Sequence, residues 1–190
     1  EVSILNELPG PLRQRVCHSI AGDGLRKISF FEGIPDNIIN CIVSALVPRV
    51  FVPGDEIMHA KEIGMEFYII EKGRVHISSP NNVITYAVLS EGDCFGESCL
   101  LTKITVRCSN VKCFSYCDCF ELSKDDFNET LEAFPEEKAQ ILINVQRELD
   151  RKFRFNQNVT QNFQKSREKM LQKFEAFRLP ENPEEERRRI

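Results

Sequence analysis

The stretch 95-FGESCLLTKITVRCSNV-111 sets an acid, Glu97, and a base, Arg107, ten positions apart around a small apolar patch and a polar loop. Neither charge is tolerated unpaired in a core. Gly92 and Gly96 allow a tight backbone at the end of a strand. A short helix starting at Gly96 and Glu97 would turn its free N–H groups on one point, a position that favours a phosphate. Arg107, on the next strand, would bring a forked donor to the same anion. Such a charge-assisted contact contributes about 1.5–3 kcal/mol where water is excluded. Glu97 is repelled by a phosphate but can accept a hydrogen bond from a hydroxyl beside it. A ligand with one phosphate next to one hydroxyl is a ribose cyclic phosphate. The residues leave a plainer alternative open: a Glu97–Arg107 salt bridge closing a surface loop, since surface ion pairs are common.

The 190 residues suffice for one domain plus a helical extension. Apolar residues make up 42% and charged residues 28%, a globular balance. A net charge of -4 argues against a nucleic-acid footprint, which favours a basic domain. No apolar run approaches the ~18 residues that span a bilayer, and no signal-peptide pattern is present. The start at Glu1, without Met, reads as a piece of a longer protein. The eight cysteines include no CxxC pair and the three histidines are scattered, so no metal site is expected. Cys113, Cys117 and Cys119 read instead as small buried or half-buried thiols in a reducing cytosol. Two glycosylation sequons, at Asn128 and Asn158, fall in helical patterns and read as chance.

Outward from the opening stretch, the chain changes texture twice. Residues 1–32 read as helices, punctuated by Pro9, Gly10 and Pro11, and residues 35–46 as another with Ile38, Ile39, Ile42, Val43 and Leu46 on one face. From about 48 to 122, short β-rich runs alternate with turn signals such as Pro53-Gly54-Asp55, Glu71-Lys72-Gly73 and Glu91-Gly92-Asp93. That spacing predicts a mostly antiparallel sandwich or jelly roll, interrupted by a helical turn at about 97–101. Past 122, Ser123 opens a helix to about Phe134, Pro135 opens a second with Ile141, Leu142, Val145 and Leu149 in its stripe, and a further helix is expected over about 157–178. The charged run Glu184 to Arg189 reads as a solvated tail. The fold class expected is therefore α+β.

Phe95-Gly96-Glu97 followed by Leu100-Leu101 resembles the phosphate-binding cassette of the cyclic-nucleotide-binding domain family, and Arg107-Cys108-Ser109-Asn110-Val111 resembles its arginine-bearing segment. Pro53-Gly54-Asp55 and the run Phe67 to Gly73 are similar to its first strands. Ser3 to Pro9 with Pro11-Leu12-Arg13 resembles the C-linker that joins pore to binding domain in hyperpolarization-activated and cyclic-nucleotide-gated cation channels. The likeness covers about residues 1–153. It implies C-linker helices at 1–32, a binding domain at 33–155 and a helical extension with tail at 156–190.

The resemblance also implies roles. Arg107 would bind the cyclic phosphate, Glu97 the ribose 2′-hydroxyl, and backbone at Gly96, Ser98 and Cys99 would complete the phosphate nest. Ile77, Ala87 and Leu89 would form an apolar wall against the purine. The helix at 136–153 would be a lid, with Leu149 and Arg151 nearest the base. Cys108 stands where the family usually has a Thr associated with cGMP contacts, and Lys152 where cGMP-selective channels carry an acid. The ligand would be cAMP or cGMP, with no metal, no nucleic acid and no catalytic residues. The other partners would be channel subunits, joined through the C-linker into a homo- or hetero-tetramer. The setting would be the cytosolic side of an integral membrane protein, at the plasma membrane. The same module on a sodium/proton exchanger, a soluble regulator of this fold, or a ligand-free structural module are the alternatives.

Overall fold

A computed structural model describes residues 19, 21–101 and 106–176. Most of the expected C-linker helices, the loop 102–105 and the charged tail lie outside the described residues. The chain divides into two compact units, 1–153 and 154–190.

In the first unit, a helix α1 over residues 21–27 leads into a 3-10 turn at Ser29–Phe31 and then helix α2, Asp36–Ser44. Eight strands follow: β1 (Val47–Phe51), β2 (Glu56–Met58), β3 (Glu66–Lys72), β4 (Arg74–Ser78), β5 (Thr85–Ser90), β6 (Cys94–Phe95), β7 (Asn110–Cys113) and β8 (Cys117–Ser123). A second 3-10 turn, Glu97–Leu100, sits where the pattern predicted a helical interruption. The strands make two antiparallel sheets, ordered β1-β8-β3-β6 and β2-β7-β4-β5. With helices at both ends, this is the α+β jelly roll that the alternation of short strands predicted.

The run Phe67-Tyr68-Ile69-Ile70 shows why β3 is apolar throughout. Successive side chains leave opposite faces of a strand. Tyr68 and Ile70 enter a core between the two sheets with Val75, Phe95 and Val111, whereas Phe67 and Ile69 face a second core under the helices with Ile42, Phe127 and Val145. Both faces are covered, so neither can be polar. β8 repeats the pattern, with Cys117 and Cys119 inward and Phe120 and Leu122 toward the helices.

Helix α3, Lys124–Thr130, starts at Ser123, whose hydroxyl accepts from Asp126 N at 3.0 Å. That N-cap contributes about 1 kcal/mol. The helix is shorter than the expected run to Phe134. The two helices expected after it are one, α4, running unbroken from Pro135 to Ala176. Arg154, Phe155 and Asn156 contain no Pro or Gly, and extending a helix already nucleated costs little. Within the first unit, Ile141 and Val145 of α4 are fully buried, and Asn144 Nδ2 donates to Phe30 O at 3.4 Å. In the second unit the described residues, 154–176, are helical and expose Phe155, Met170 and Leu171. Among the described residues no helix is long and apolar enough to cross a membrane.

Candidate functional site

Gly96 holds a left-handed φ of 84° between β6 and the second 3-10 turn. A side chain there is excluded twice over: a Cβ would lie 2.8 Å from Glu66 O and 3.0 Å from Arg107 Nη1. Arg107 reaches this corner from the approach to β7. Its backbone is pinned to the loop before β3, with Lys61 N donating to Arg107 O and Arg107 N donating to Glu62 O, both at 2.8 Å. Its guanidinium donates to Gly96 O at 2.9 Å and to Glu66 O at 2.6 Å, with Glu66 Oε2 at 3.5 Å. Gly64 lies against the other side, where a Cβ would stand 2.0 Å from Arg107 Nε. The guanidinium thus passes between two glycine backbones and is 3% exposed.

Glu97 opens the 3-10 turn and is equally buried. Its Oε1 accepts a 2.6 Å hydrogen bond from Lys152 Nζ on α4. Burial alone would lower the Lys152 pKa, but the charge of Glu97 and its hydrogen bond outweigh burial and raise it. A lysine pKa raised by folding contributes stability below the ordinary lysine value, lost as pH rises through the raised one. The pair is therefore intact across the neutral range. The plainer alternative, a Glu97–Arg107 bridge, is not the arrangement found, since the described contacts give each charge a different partner.

The remaining expected residues fall as follows. Cys99 is fully buried, and burial pushes its thiol up to about 11. Ser98 is half-buried and Cys108 exposed. Ile77 and Ala87 are cross-strand partners on β4 and β5, and Leu89 is paired with Val75 one step along the same face. All three are half-buried. Leu149 packs on the helix-side core. Arg151 is 75% exposed and forks onto Glu148 at 2.5 and 3.1 Å. It lines a 440 Å³ cleft with Ser29, Glu32, Asn144 and Arg147, while Glu97 is reached by its neighbour Lys152. Gly64 and Glu66, which shape the Arg107 socket, were not singled out by pattern; their closest contributions are backbone, which leaves little trace in residue type, with the Glu66 carboxylate at 3.5 Å beside them. Among the described residues no group of His, Cys, Asp or Glu could hold a metal ion.

A jelly roll with a buried arginine at a glycine corner and a buried acid under a C-terminal helix defines a class of binding domain. Residues 48–134 match the family model for the cyclic nucleotide-binding domain. Its relatives narrow the context. It is 35% identical over 143 residues to cyclic nucleotide-gated channel alpha-2 of Bos taurus, covering 73% of this chain and 22% of that one. It is 34% identical over 146 residues to human cyclic nucleotide-gated channel alpha-3, covering 74% and 21%. It is 33% identical over 157 residues to the cyclic nucleotide-gated cation channel of Ictalurus punctatus, covering 80% and 23%. The chain thus spans about a fifth of the length of these relatives. All three are named as cyclic nucleotide-gated channels, none as hyperpolarization-activated ones.

Proposed function

We propose that this chain is a regulatory module that binds cAMP or cGMP and couples it to gating of a membrane cation channel. The observation that carries this reading is Arg107: a guanidinium held between Gly64 and Gly96, beside a buried carboxylate, inside the matched domain. Arg107 would take the cyclic phosphate with backbone at Gly96, Ser98 and Cys99. Glu97 would take the ribose hydroxyl, and Ile77, Ala87 and Leu89 would meet the purine. The N-terminal residues 1–32 would act as the C-linker toward a pore and neighbouring subunits in a tetramer on the cytosolic side of the membrane.

The mechanism is conformational. A nucleotide shifts an equilibrium only by binding one state better than another, typically with about 1–3 kcal/mol of coupling. The first part of α4 would move against the roll as the site fills. A second reading has an observation in its favour: Arg107 and Glu97 both have protein partners already, which suits a structural module that binds nothing. Calorimetric titration of the chain with cAMP and cGMP separates the two. Binding that Arg107→Ala weakens at least about tenfold, ~1.4 kcal/mol, supports the proposed function. Unchanged affinity in the variant would sink the phosphate assignment, and no binding by the wild type would leave the structural module.

A further inference from the structure

Lys152 makes a contact no other charge of the lid makes. Its Nζ donates to Glu97 Oε1 at 2.6 Å, and Glu97 is 4% exposed. One residue earlier, Arg151 is turned to Glu148 of its own helix. The carboxylate proposed for the ribose hydroxyl is therefore already bonded to an ammonium from the same chain. The bond crosses from the 3-10 turn after β6 to α4, so it also ties the lid to the roll.

The two possible partners of Glu97 are unequal. Lys152 offers a charged donor, so its hydrogen bond to the carboxylate carries ion-pair attraction as well. A ribose hydroxyl offers a neutral donor. A nucleotide entering the site must take what Lys152 leaves of the carboxylate or displace the ammonium. Displacement would break the bond between lid and roll.

We infer that Lys152 is an internal competitor for the ribose subsite, a specificity-determining latch that holds the lid on Glu97 until a nucleotide replaces it. This rests on the proposed nucleotide site and deepens it. In the wild type, the 2′-hydroxyl adds little to affinity because Glu97 is already engaged. Without Lys152, the full carboxylate is open to the hydroxyl and the ligand-free lid loosens.

The test uses the 190-residue chain with Lys152→Met and Lys152→Arg, titrated with cAMP and 2′-deoxy-cAMP. Lys152→Met is expected to bind cAMP about threefold or more tighter and to raise the preference for cAMP over its deoxy analogue by a similar factor. Ligand-free amide exchange over residues 145–153 is expected to quicken in Lys152→Met and to return toward wild type in Lys152→Arg. Unchanged or weaker cAMP binding in Lys152→Met, with an unchanged deoxy preference, overturns the competitor. If the wild type binds no nucleotide, the proposed function fails separately. The latch is then judged by exchange alone, with quickening in Lys152→Met supporting it and no change overturning it.

Discussion

Arg107 and Glu97 are buried to the same extent, 4% exposed each, but different parts of the molecule hold them. Among the described residues the partners of Arg107 belong to the roll: the carbonyls of Glu66 and Gly96 and the Glu66 carboxylate for its side chain, Lys61 and Glu62 for its backbone. Glu97 is held from α4, by Lys152. Under the proposed function, the arginine would therefore be set for an anion before any ligand arrives, independently of α4. The carboxylate proposed for the hydroxyl would be free only once Lys152 of α4 has left it. Preorganisation of the first would lower the cost of binding, and dependence of the second on α4 would couple that binding to the helix. A third buried charge is the counterexample. Lys124, at the start of α3, is 7% exposed, and among the described residues its Nζ has no hydrogen-bond partner.

The largest effect should come from breaking the roll half without touching Arg107. In Gly64→Ala the new Cβ would stand 2.0 Å from Arg107 Nε, so the guanidinium must leave its socket. Nucleotide affinity should fall at least about tenfold, matching Arg107→Ala, ~1.4 kcal/mol or more by calorimetry. Wild-type affinity in Gly64→Ala would mean that the glycine clasp is not what positions the arginine. The next effect concerns stability and has the opposite sign. Lys124→Met should raise the unfolding free energy by about 1–3 kcal/mol in urea, because it removes an ammonium desolvated without a partner. A loss of stability would show that Lys124 contributes through a contact made in solution.

How much of this could be read from residue types follows the same division. The roll was legible because β3 and β8 bury both faces, and turn residues such as Gly73 and Gly92 mark where strands end. Glu97 and Arg107 were legible because two charges beside a glycine corner need a reason. Their actual partners were not. The two shortest bonds of Arg107 go to carbonyls, which every residue possesses and no residue type announces. Lys152 could be marked only as an unusual lysine, since its reach to Glu97 depends on the rotation of α4 about its axis, a tertiary quantity. The continuity of α4 through 153–157 was missed because the apolar stripe changes phase there, while the backbone has nothing to stop it.

The smallest expected effect sharpens the lid half. The resemblance implied Arg151 beside the base; here its fork lies on Glu148, one turn back, with three quarters of the side chain in solvent. An exposed i,i+3 pair of this kind contributes about 0.3–0.5 kcal/mol. Arg151→Ala should therefore cost no more than that in urea unfolding and change cAMP affinity by less than about twofold. The comparison with Lys152→Met is the informative part. If the lid closes on the nucleotide in the orientation it has here, only the Lys152 variant alters binding. A loss of about tenfold in Arg151→Ala would instead require α4 to rotate as the ligand enters, carrying Arg151 from Glu148 toward the base and Lys152 away from Glu97.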